Sequence, residues 1–198
     1  MPPKAKAAAS TPADEKILFF YMPDAKDGEL CQWFPSPFPV SKSTIDSLIS
    51  YDTASGKESV DSEIIHFTCA EQFMMYCKAG RFHDTETQRK IMATSDPKTQ
   101  KRLGKTITGF YDGSWDEVKS DVVVAGNMAK FGQNPKLKRK LLATGDKTLV
   151  EAASKDRVWG IGYTAKHAMQ FRDHWGENRL GKALMVVRDR LRGEEPEG

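Results

Sequence analysis

The stretch FTCAEQFMMYCKAGRF, Phe67–Phe82, decides the fold because it predicts a helix that is apolar on nearly every side. A helix of this kind normally lies inside a protein. With about 3.6 residues per turn, Glu71 and Lys78 fall on the same face of that helix as Met74. Charged side chains are rare in such a position unless they are paired or take part in function. The stretch therefore predicts a central helix that carries an acid and an amine into the interior.

Two interpretations of Glu71 are open at this point. Thr68 is placed to cap the helix, and Glu71, three residues later, then completes a capping box. Alternatively, Glu71 and Lys78, about 10 Å apart along the axis, lie at opposite ends of a pocket. A desolvated lysine loses its proton more easily and becomes a nucleophile, and a carboxylate nearby can transfer protons. The capping box gives no reason for Lys78.

The composition is that of an ordinary soluble protein. The 198 residues are 39% hydrophobic and 29% charged, which suits one domain with a sizeable core. No apolar run is long enough to cross a bilayer, and the N-terminal residues lack the apolar core of a signal peptide. We therefore expect no membrane association and a cytoplasmic or nuclear location.

Neither the cysteines nor the histidines form a metal-binding motif. The three cysteines include no CxxC pair, and the four histidines show no HExxH spacing. We expect no metal and no cofactor. The net charge of +3 hints only weakly at an anionic partner. Two interpretations of the basic run KLKRK, Lys136–Lys140, are open: a solvated helix face and a contact with phosphates.

Hydrophobic periodicity and capping residues predict a mainly α-helical chain with a few short β-strands. Pro97 behind Asp96 and Pro135 behind Asn134 are typical of helix starts. Residues 28–40 are rich in proline and aromatic side chains and predict an irregular loop. The predicted strands cover residues 16–22, 64–68 and 148–154, and the further predicted helices cover residues 84–94, 96–107, 114–132, 134–145 and 178–192.

A second group of candidate residues follows the last predicted strand. Asp156 precedes the turn Trp159-Gly160-Ile161-Gly162, where glycines let backbone amides approach a ligand. Asn178, at the start of the last predicted helix, offers free backbone N–H groups that suit a phosphate. An ordinary turn and an ordinary helix cap are the structural alternatives. Trp115 and Trp159 are equally compatible with core packing.

Together these segments resemble the NADAR superfamily. The resemblance rests on CAEQFMMYCKA, MAKFGQNPKLKRKLLATGDKTLVEAASKDRVWGIG and NRLGKALMVVRDRL, and it covers residues 17–192 with the motifs in order. It implies a mainly α, single-domain, multihelical fold of the YbiA-like type. We therefore divide the chain into a flexible leader at residues 1–15, a NADAR domain at 16–192 and an acidic tail at 193–198, with an exposed loop at 50–63.

The resemblance implies an N-glycosidase that breaks a ribose C1–N bond. On that expectation Lys78 attacks C1 and holds the opened sugar as a Schiff base, Glu71 transfers protons, and Asp156 acts as a second carboxylate. The other expected substrate contacts come from the side chains of Gln32, Trp33, Phe34, Trp115 and Trp159 and from the backbone at Gly160, Ile161, Gly162, Asn178 and Gly181.

The substrate that we expect first is ADP-ribose attached to guanine, in DNA, in RNA or as a nucleotide. The riboflavin-pathway ribosylamine phosphates are the nearest alternative. The chain has Cys31-Gln32-Trp33 where family members commonly have Ser-Asn-Phe, so a longer amide and a wider ring face the substrate. A non-catalytic ADP-ribose or NAD reader needs no buried amine. A helical interaction protein would leave two buried charges without a purpose.

Overall fold

The computed structural model describes residues 16–50 and 63–194. The predicted leader, most of the predicted exposed loop and the end of the acidic tail lie outside the described residues. Within them the chain is mainly α-helical, as predicted, with four short strands. The strands are β1 (Ile17–Phe20), β2 (Phe38–Ser41), β3 (Ile64–Phe67) and β4 (Thr148–Glu151). The helices are α1 (Lys42–Ile49), α2 (Ala70–Arg81), α3 (Thr85–Met92), α4 (Pro97–Leu103), α5 (Asp112–Gly132), α6 (Pro135–Leu142), α7 (Ala165–Ala168) and α8 (Arg179–Gly193), with 3-10 turns at Gly28–Leu30 and Met169–His174.

Helix α2 lies in the core, as its sequence predicts. Phe73 and Cys77 are fully buried, and helices α3, α4 and α5 pack against α2. Gly126 permits the close crossing with α5, since a Cβ there would lie 2.6 Å from the Phe73 ring. The helix also buries two charged side chains, Glu71 and Arg81. Arg81 has its partners within the fold, including the Ile49 carbonyl group at 2.9 Å.

The start of α2 differs from the predicted capping box. The N-cap residue is Cys69 rather than Thr68, and its side chain makes no capping hydrogen bond. Gln72 takes the place predicted for Glu71, because its Oε1 accepts from the Thr68 backbone N–H at 2.8 Å and from the Thr68 hydroxyl group at 3.0 Å. The capping-box interpretation of Glu71 is therefore wrong. The carboxyl group of Glu71 takes no part in this cap, which Gln72 completes instead.

Two small sheets accompany the helices. Strands β1 and β4 are parallel, with Phe20 opposite Glu151, and α8 packs against β4. Strands β2 and β3 are antiparallel, with Phe38 opposite Phe67. Both of these rings contact Phe73 of α2, so the second sheet packs against α2 in the core.

The predicted irregular loop is wrong at its end, where β2 forms, and α1 is absent from the predicted elements. Pro39 cannot donate to a ladder, but it is tolerated on an edge strand. Its carbonyl group accepts a hydrogen bond from the Gln133 side chain at 2.9 Å. Ser41 then caps α1 by accepting from the Thr44 N–H at 3.2 Å. The strand and the helix together are too short for periodicity to reveal them.

The predicted caps elsewhere are confirmed. Asp96 accepts from the Thr99 N–H at 2.9 Å, and Asn134 accepts from the Leu137 N–H at 3.2 Å. Proline occupies the first turn of both α4 and α6. Helix α5 begins earlier than predicted, at Asp112 instead of Ser114. Local capping chemistry therefore predicts these helix starts to within two residues.

Helix α8 lies against the backbone of β4. Asn178, the N-cap residue, has a left-handed backbone with φ of 52°. Its side chain donates to the Leu149 carbonyl group at 2.9 Å and accepts from the Glu151 N–H at 3.0 Å. A Cβ on Gly181 would lie 2.1 Å from that same Leu149 oxygen. The Asn-x-Leu-Gly sequence therefore locks the last helix to the strand.

We expect Gly181→Ala to destabilise the fold by about 1–3 kcal/mol, because the added methyl group meets backbone atoms that cannot turn aside. Gly132→Ala is the matched control in another helix, where the added Cβ would meet only a Leu191 methyl group at 3.5 Å. That change should be neutral or slightly stabilising. Urea denaturation measures both, and equal free energies of unfolding would contradict the close contact of α8 with β4.

Candidate active site

A cavity of about 290 Å³ opens along one face of α2. Its walls come from the loop after β1, the loop after the first 3-10 turn, α2, α4 and the turn that follows β4. Glu71, Met74, Met75 and Lys78 all line it, as the helical periodicity predicts. The volume lies near the lower end of ordinary small-molecule sites, which run from roughly 300 to 1,000 Å³. A larger ligand would extend through the opening.

The carboxyl group of Glu71 is buried in this cavity, with the residue 5% exposed. Burial raises its pKa to about 7, although the cation of Lys101 and a hydrogen bond from Trp33 oppose the rise. The negative charge of Asp156 adds to it. A carboxyl group with a pKa near neutrality keeps its proton in part of the molecules and can deliver it to a leaving group.

Lys78 lies two turns further along α2 and is half-buried. Its Nζ donates to the Gly104 carbonyl group at 2.8 Å and lies 4.0 Å from the centre of the Phe110 ring. Burial lowers the pKa of Lys78, while Asp112 and Glu71 raise it in part. The amine therefore reaches the cavity with a larger neutral fraction than a surface lysine has.

Asp156 lines the cavity from the turn after β4, and its oxygens already have partners. Oδ1 accepts from the backbone N–H of Val158 at 3.0 Å and from that of Trp159 at 2.8 Å. Oδ2 lies 3.7 Å from Nζ of Lys101. Asp156 therefore shapes the turn and pairs with a cation at the same time as it faces the cavity.

Glu151 is a third carboxyl group in the cavity, and the sequence interpretation missed it. It is the last residue of β4. Burial raises its pKa to about 7, Asp156 raises it further, and Lys101 opposes the rise. The only sequence signal was an acid directly after the apolar residues Leu149 and Val150 of a predicted strand, and it does not show which residues surround that acid.

The loop after the first 3-10 turn contributes Gln32 and Trp33 to the cavity wall. Gln32 is fixed between two helices, because its Oε1 accepts from the Asn127 side chain at 2.9 Å and its backbone oxygen accepts from the Glu71 N–H at 3.1 Å. Phe34, which we predicted in the same role, packs against the core and does not line the cavity. The loop thus offers one amide and one indole to a ligand.

Both predicted tryptophans of the second group reach the cavity. Trp115 is 5% exposed and belongs to the core as well, while Trp159 is partly buried and packs against that core. A structural role and a place in the cavity wall therefore coexist in each. The predicted site residues that the structure brings to the cavity are Gln32, Trp33, Glu71, Lys78, Trp115, Asp156 and Trp159.

The sequence matches the family model of the NADAR domain over residues 19–192. The chain belongs to the NADAR domain family. An N-glycosidase of Acanthamoeba polyphaga mimivirus is 37% identical over 181 residues, covering 88% of this chain and 96% of that protein. A riboflavin biosynthesis protein of Vibrio vulnificus is 29% identical over 182 residues, covering 92% of this chain and 40% of that protein.

The NMR structure of YbiA from Escherichia coli resembles this NADAR domain with a TM-score of 0.66 and 26% sequence identity. The match covers 93% of this chain and 89% of that one. The predicted single-domain, YbiA-like multihelical fold is therefore confirmed. In sequence, the N-glycosidase YbiA of Escherichia coli is 34% identical over 116 residues, covering 59% of this chain and 67% of that protein.

Five residues predicted to meet phosphate or ribose do not line the cavity in this NADAR domain. They are Gly160, Ile161, Gly162, Asn178 and Gly181. Ile161 donates its N–H to the Glu151 carbonyl group at 3.0 Å, and Gly162 donates to the Ala153 carbonyl group at 3.1 Å. These two N–H groups of the glycine turn therefore bind β4 and the residues that follow it, and they are not free for a ligand.

We predicted free backbone N–H groups at the start of α8, and this prediction is wrong for two of them. The Leu180 N–H donates to the Trp159 carbonyl group at 3.1 Å, and the Arg179 N–H donates to that of Val158 at 3.1 Å. A helix N-terminus suits an anion only while its donors are unoccupied. Here the preceding turn occupies the N–H groups of Arg179 and Leu180.

Three further lysines of the NADAR domain line the cavity and were missed. Lys101, Lys105 and Lys155 are exposed, so they lie at its opening. Lys101 and Lys105 are four residues apart in and just after α4, a spacing that puts two side chains on one side of a helical turn. Their position next to the glutamate-bearing face depends on how α4 packs on α2, which the sequence does not reveal.

The described residues include no group of three side chains of the kind that holds a metal ion. Nor does any described helix combine the length and the apolar character needed to cross a membrane.

We expect the stability of the wild-type protein to fall with rising pH more steeply than that of Glu71→Gln. The pKa of Glu71 is about 7 in the folded protein, against an ordinary value of 4.5. Its stabilising contribution is therefore complete below pH 4.5 and is lost as the pH rises through about 7. Glutamine does not ionise there, so the variant lacks this loss.

Urea denaturation between about pH 5 and pH 8 tests this expectation. Glu177→Gln, at an exposed position paired with Arg179, is the control and should follow the wild type. If Glu71→Gln had the same pH dependence as the wild type, the burial of an ionisable carboxyl group at this position would be refuted.

Proposed function

We propose that this NADAR domain is an N-glycosidase that hydrolyses a ribose C1–N bond and removes ADP-ribose from ADP-ribosylated guanine. The observation that carries the proposal is that a buried carboxyl group, Glu71, and a half-buried amine, Lys78, lie on one face of α2 in a single cavity. Relatives named N-glycosidase, in a mimivirus and in Escherichia coli, support the reaction class.

In the proposed reaction the neutral amine of Lys78 attacks C1 while Glu71 gives its proton to the departing base nitrogen. The bond between C1 and the base breaks as the bond between C1 and Nζ forms. The ring then opens, the ring oxygen takes a proton from Nζ, and an imine joins C1 to Lys78. Water adds to C1, the imine nitrogen leaves, and the sugar closes again with a new hydroxyl group at C1.

The directions of the two pKa shifts support this division of roles. Burial raises the pKa of Glu71 to about 7, so an acid is present at neutral pH. Burial lowers the pKa of Lys78, so a neutral amine becomes more abundant. Opposite shifts in neighbouring groups are a common basis for acid and nucleophile assignments.

We place the phosphate groups of the substrate at the cavity opening, near Lys101, Lys105 and Lys155. These lysines line the cavity and are exposed. The backbone amides of the glycine turn and of α8 are a weaker choice, because many of them already have partners. A cavity of about 290 Å³ holds the ribose, and the diphosphate and adenosine of ADP-ribose would follow the lysines outward.

A riboflavin-pathway ribosylamine phosphate is the second candidate substrate. A Vibrio vulnificus relative is named as a riboflavin biosynthesis protein, which favours this class. The small cavity volume suits a single sugar phosphate as well. A non-catalytic ADP-ribose or NAD reader is the third candidate. The buried Glu71 carboxyl group argues against a non-catalytic reader, because binding alone does not require a desolvated acid beside an amine.

Product analysis separates these candidates. The protein is incubated with ADP-ribosylated guanosine, with ADP-ribosylated DNA or RNA, and with a ribosylamine phosphate, and the products are identified by mass spectrometry. Release of free ADP-ribose and an unmodified base supports the first proposal and shows whether a polymer is accepted. Cleavage of the ribosylamine phosphate alone would favour the second candidate, and binding without cleavage would favour the third.

We expect borohydride to trap the sugar on Lys78, because it reduces an imine to a stable amine. Incubation with substrate and borohydride should add the mass of the reduced ADP-ribosyl group to the peptide CKAGR. Lys78→Arg should form no adduct, since a guanidinium group does not form the imine. Mass spectrometry of the digested protein measures the site and the yield.

Lys101→Arg is the matched control for that experiment, because it alters another lysine of the same cavity. It should keep the adduct on Lys78. An adduct of equal yield in Lys78→Arg, or one spread over exposed lysines, would indicate nonspecific glycation. The mechanism would then have to use the carboxyl groups and water without a covalent intermediate.

We expect Lys105→Gln and Lys155→Gln each to weaken the binding of free ADP-ribose roughly two- to fivefold, the range for one exposed charge contact. Binding of ribose should not change, and the effect should shrink at high salt. Lys98→Gln removes an exposed lysine of α4 that does not line the cavity, and it serves as the control. Calorimetric titration that showed equal losses for Lys98→Gln would rule out the phosphate position.

A further inference from the structure

One carboxyl oxygen of a residue in the cavity wall has no hydrogen-bond partner among the described residues. Oε2 of Glu151 is buried and accepts no hydrogen bond there. A buried acceptor without a donor costs free energy, so such an atom calls for an explanation. Glu151 lines the same cavity as Glu71 and Lys78, so this residue belongs to the wall that a bound sugar or water would meet.

Two hydrogen bonds hold the backbone of Glu151. The Asn178 side chain accepts its N–H at 3.0 Å, and its carbonyl group accepts from the Ile161 N–H at 3.0 Å. Gly160 leaves room for this carbonyl group, since a Cβ at that position would lie 2.8 Å from its oxygen. Residues of the glycine turn and of the α8 start, which we first associated with phosphate, therefore converge on one strand residue.

Asp156, unlike Glu151, has a partner for each of its carboxyl oxygens. Its Oδ1 accepts from the backbone N–H of Val158 at 3.0 Å and from that of Trp159 at 2.8 Å. Its Oδ2 lies 3.7 Å from Nζ of Lys101. A proton on Oδ1 of Asp156 would disturb contacts that shape the turn, and a proton on Oδ2 would weaken the pairing with Lys101. Oε2 of Glu151 has no such contact to lose.

We propose that Glu151, rather than Asp156, is the carboxyl group that exchanges protons with the water that releases the sugar from Lys78. This proposal rests on the function proposed above and completes its second half. As the water oxygen bonds to C1, the water gives a proton to the Glu151 carboxylate. Glu151 returns that proton to Nζ as the bond between C1 and Lys78 breaks. The hydroxyl proton released as the aldehyde forms restores the acid form of Glu71.

The charges around Glu151 suit an exchange of this kind. Glu71 on α2 and Asp156 on the turn raise its pKa, and Lys101 on α4 lowers it; burial is the largest cause, and the result is about 7. Lys78 and Lys155 also line the cavity. A negative charge on Glu71 disfavours ionisation of Glu151, and coupling of this kind favours the state in which one carboxyl group is protonated and the other ionised. That state provides an acid for the first step and a base for the second.

The decisive variant is Glu151→Gln, which keeps the shape and removes the exchangeable proton. We expect steady-state turnover to fall at least about 100-fold, the usual range for a general base. Base release in the first turnover should persist as a burst of about one equivalent, because it needs only Glu71 and Lys78. Borohydride should then trap more imine on Lys78 than in the wild type.

Two comparison variants keep the test specific. Glu177→Gln, at an exposed position away from the cavity, should match the wild type. Asp156→Asn should slow base release and turnover together, since it alters the turn, and should accumulate no imine. If Asp156→Asn accumulated imine and Glu151→Gln did not, the two roles would be exchanged and the proposal would be overturned. Wild-type turnover in Glu151→Gln would overturn it as well.

A measurement without substrate tests the coupling of the two carboxyl groups. Carbon NMR of the glutamate carboxyl groups should show Glu151 titrating near neutral pH in the wild type and at lower pH in Glu71→Gln, where one negative neighbour is gone. An unchanged titration would contradict the pairing. If the wild-type protein released no base from any substrate, the proposed function itself would fail, whereas wild-type activity with an unaffected Glu151→Gln would refute only this inference.

Discussion

The backbone N–H of Glu71 donates to the carbonyl group of Gln32 at 3.1 Å in the first turn of α2. This bond joins the loop after the first 3-10 turn to the helix that carries the acid and the amine. The same loop brings Trp33 into hydrogen-bonding contact with the Glu71 carboxyl group, in surroundings that raise its pKa to about 7. A buried carboxyl group is costly unless its partners are in place. The loop and the helix therefore have to be positioned together for the cavity to exist.

A second buried charge supports this loop. Lys130 on α5 is 1% exposed, and its Nζ donates to the Cys31 carbonyl group at 2.9 Å. Burial lowers its pKa to about 8. Its hydrogen-bond partner is a backbone carbonyl group rather than a carboxylate, so the lysine contributes a bond to the loop without neutralising the acids of the cavity. Glu71 and Lys130 thus approach the same few residues from two helices, and the loop is held through backbone atoms that a change of side chain would not remove.

The elements that could be predicted from the sequence are those whose signal is local. Periodicity is enough for α2 because nearly every side of that helix is apolar, and capping side chains are enough for the starts of α4 and α6. Glu151 could not be assigned in the same way, because its neighbours in the cavity come from α2, α4 and the following turn. Strand β2 was not predicted because prolines near Pro39 favour a loop interpretation, and only pairing with β3 shows otherwise. Helix α1 was not predicted because it is too short for its periodicity to be recognised. Contacts between distant segments decide these cases.

The glycine turn and the start of α8 show how a correct motif can support an incorrect contact. Glycines and a helix N-terminus do provide room and donors, as the sequence suggests. Whether a ligand receives those donors depends on what packs against them. Here the N–H groups of Arg179 and Leu180 meet carbonyl groups of the turn, while Asn178 reaches β4. A motif of this type can therefore serve a site that it does not touch, because it fixes the strand from which an acidic side chain enters the cavity.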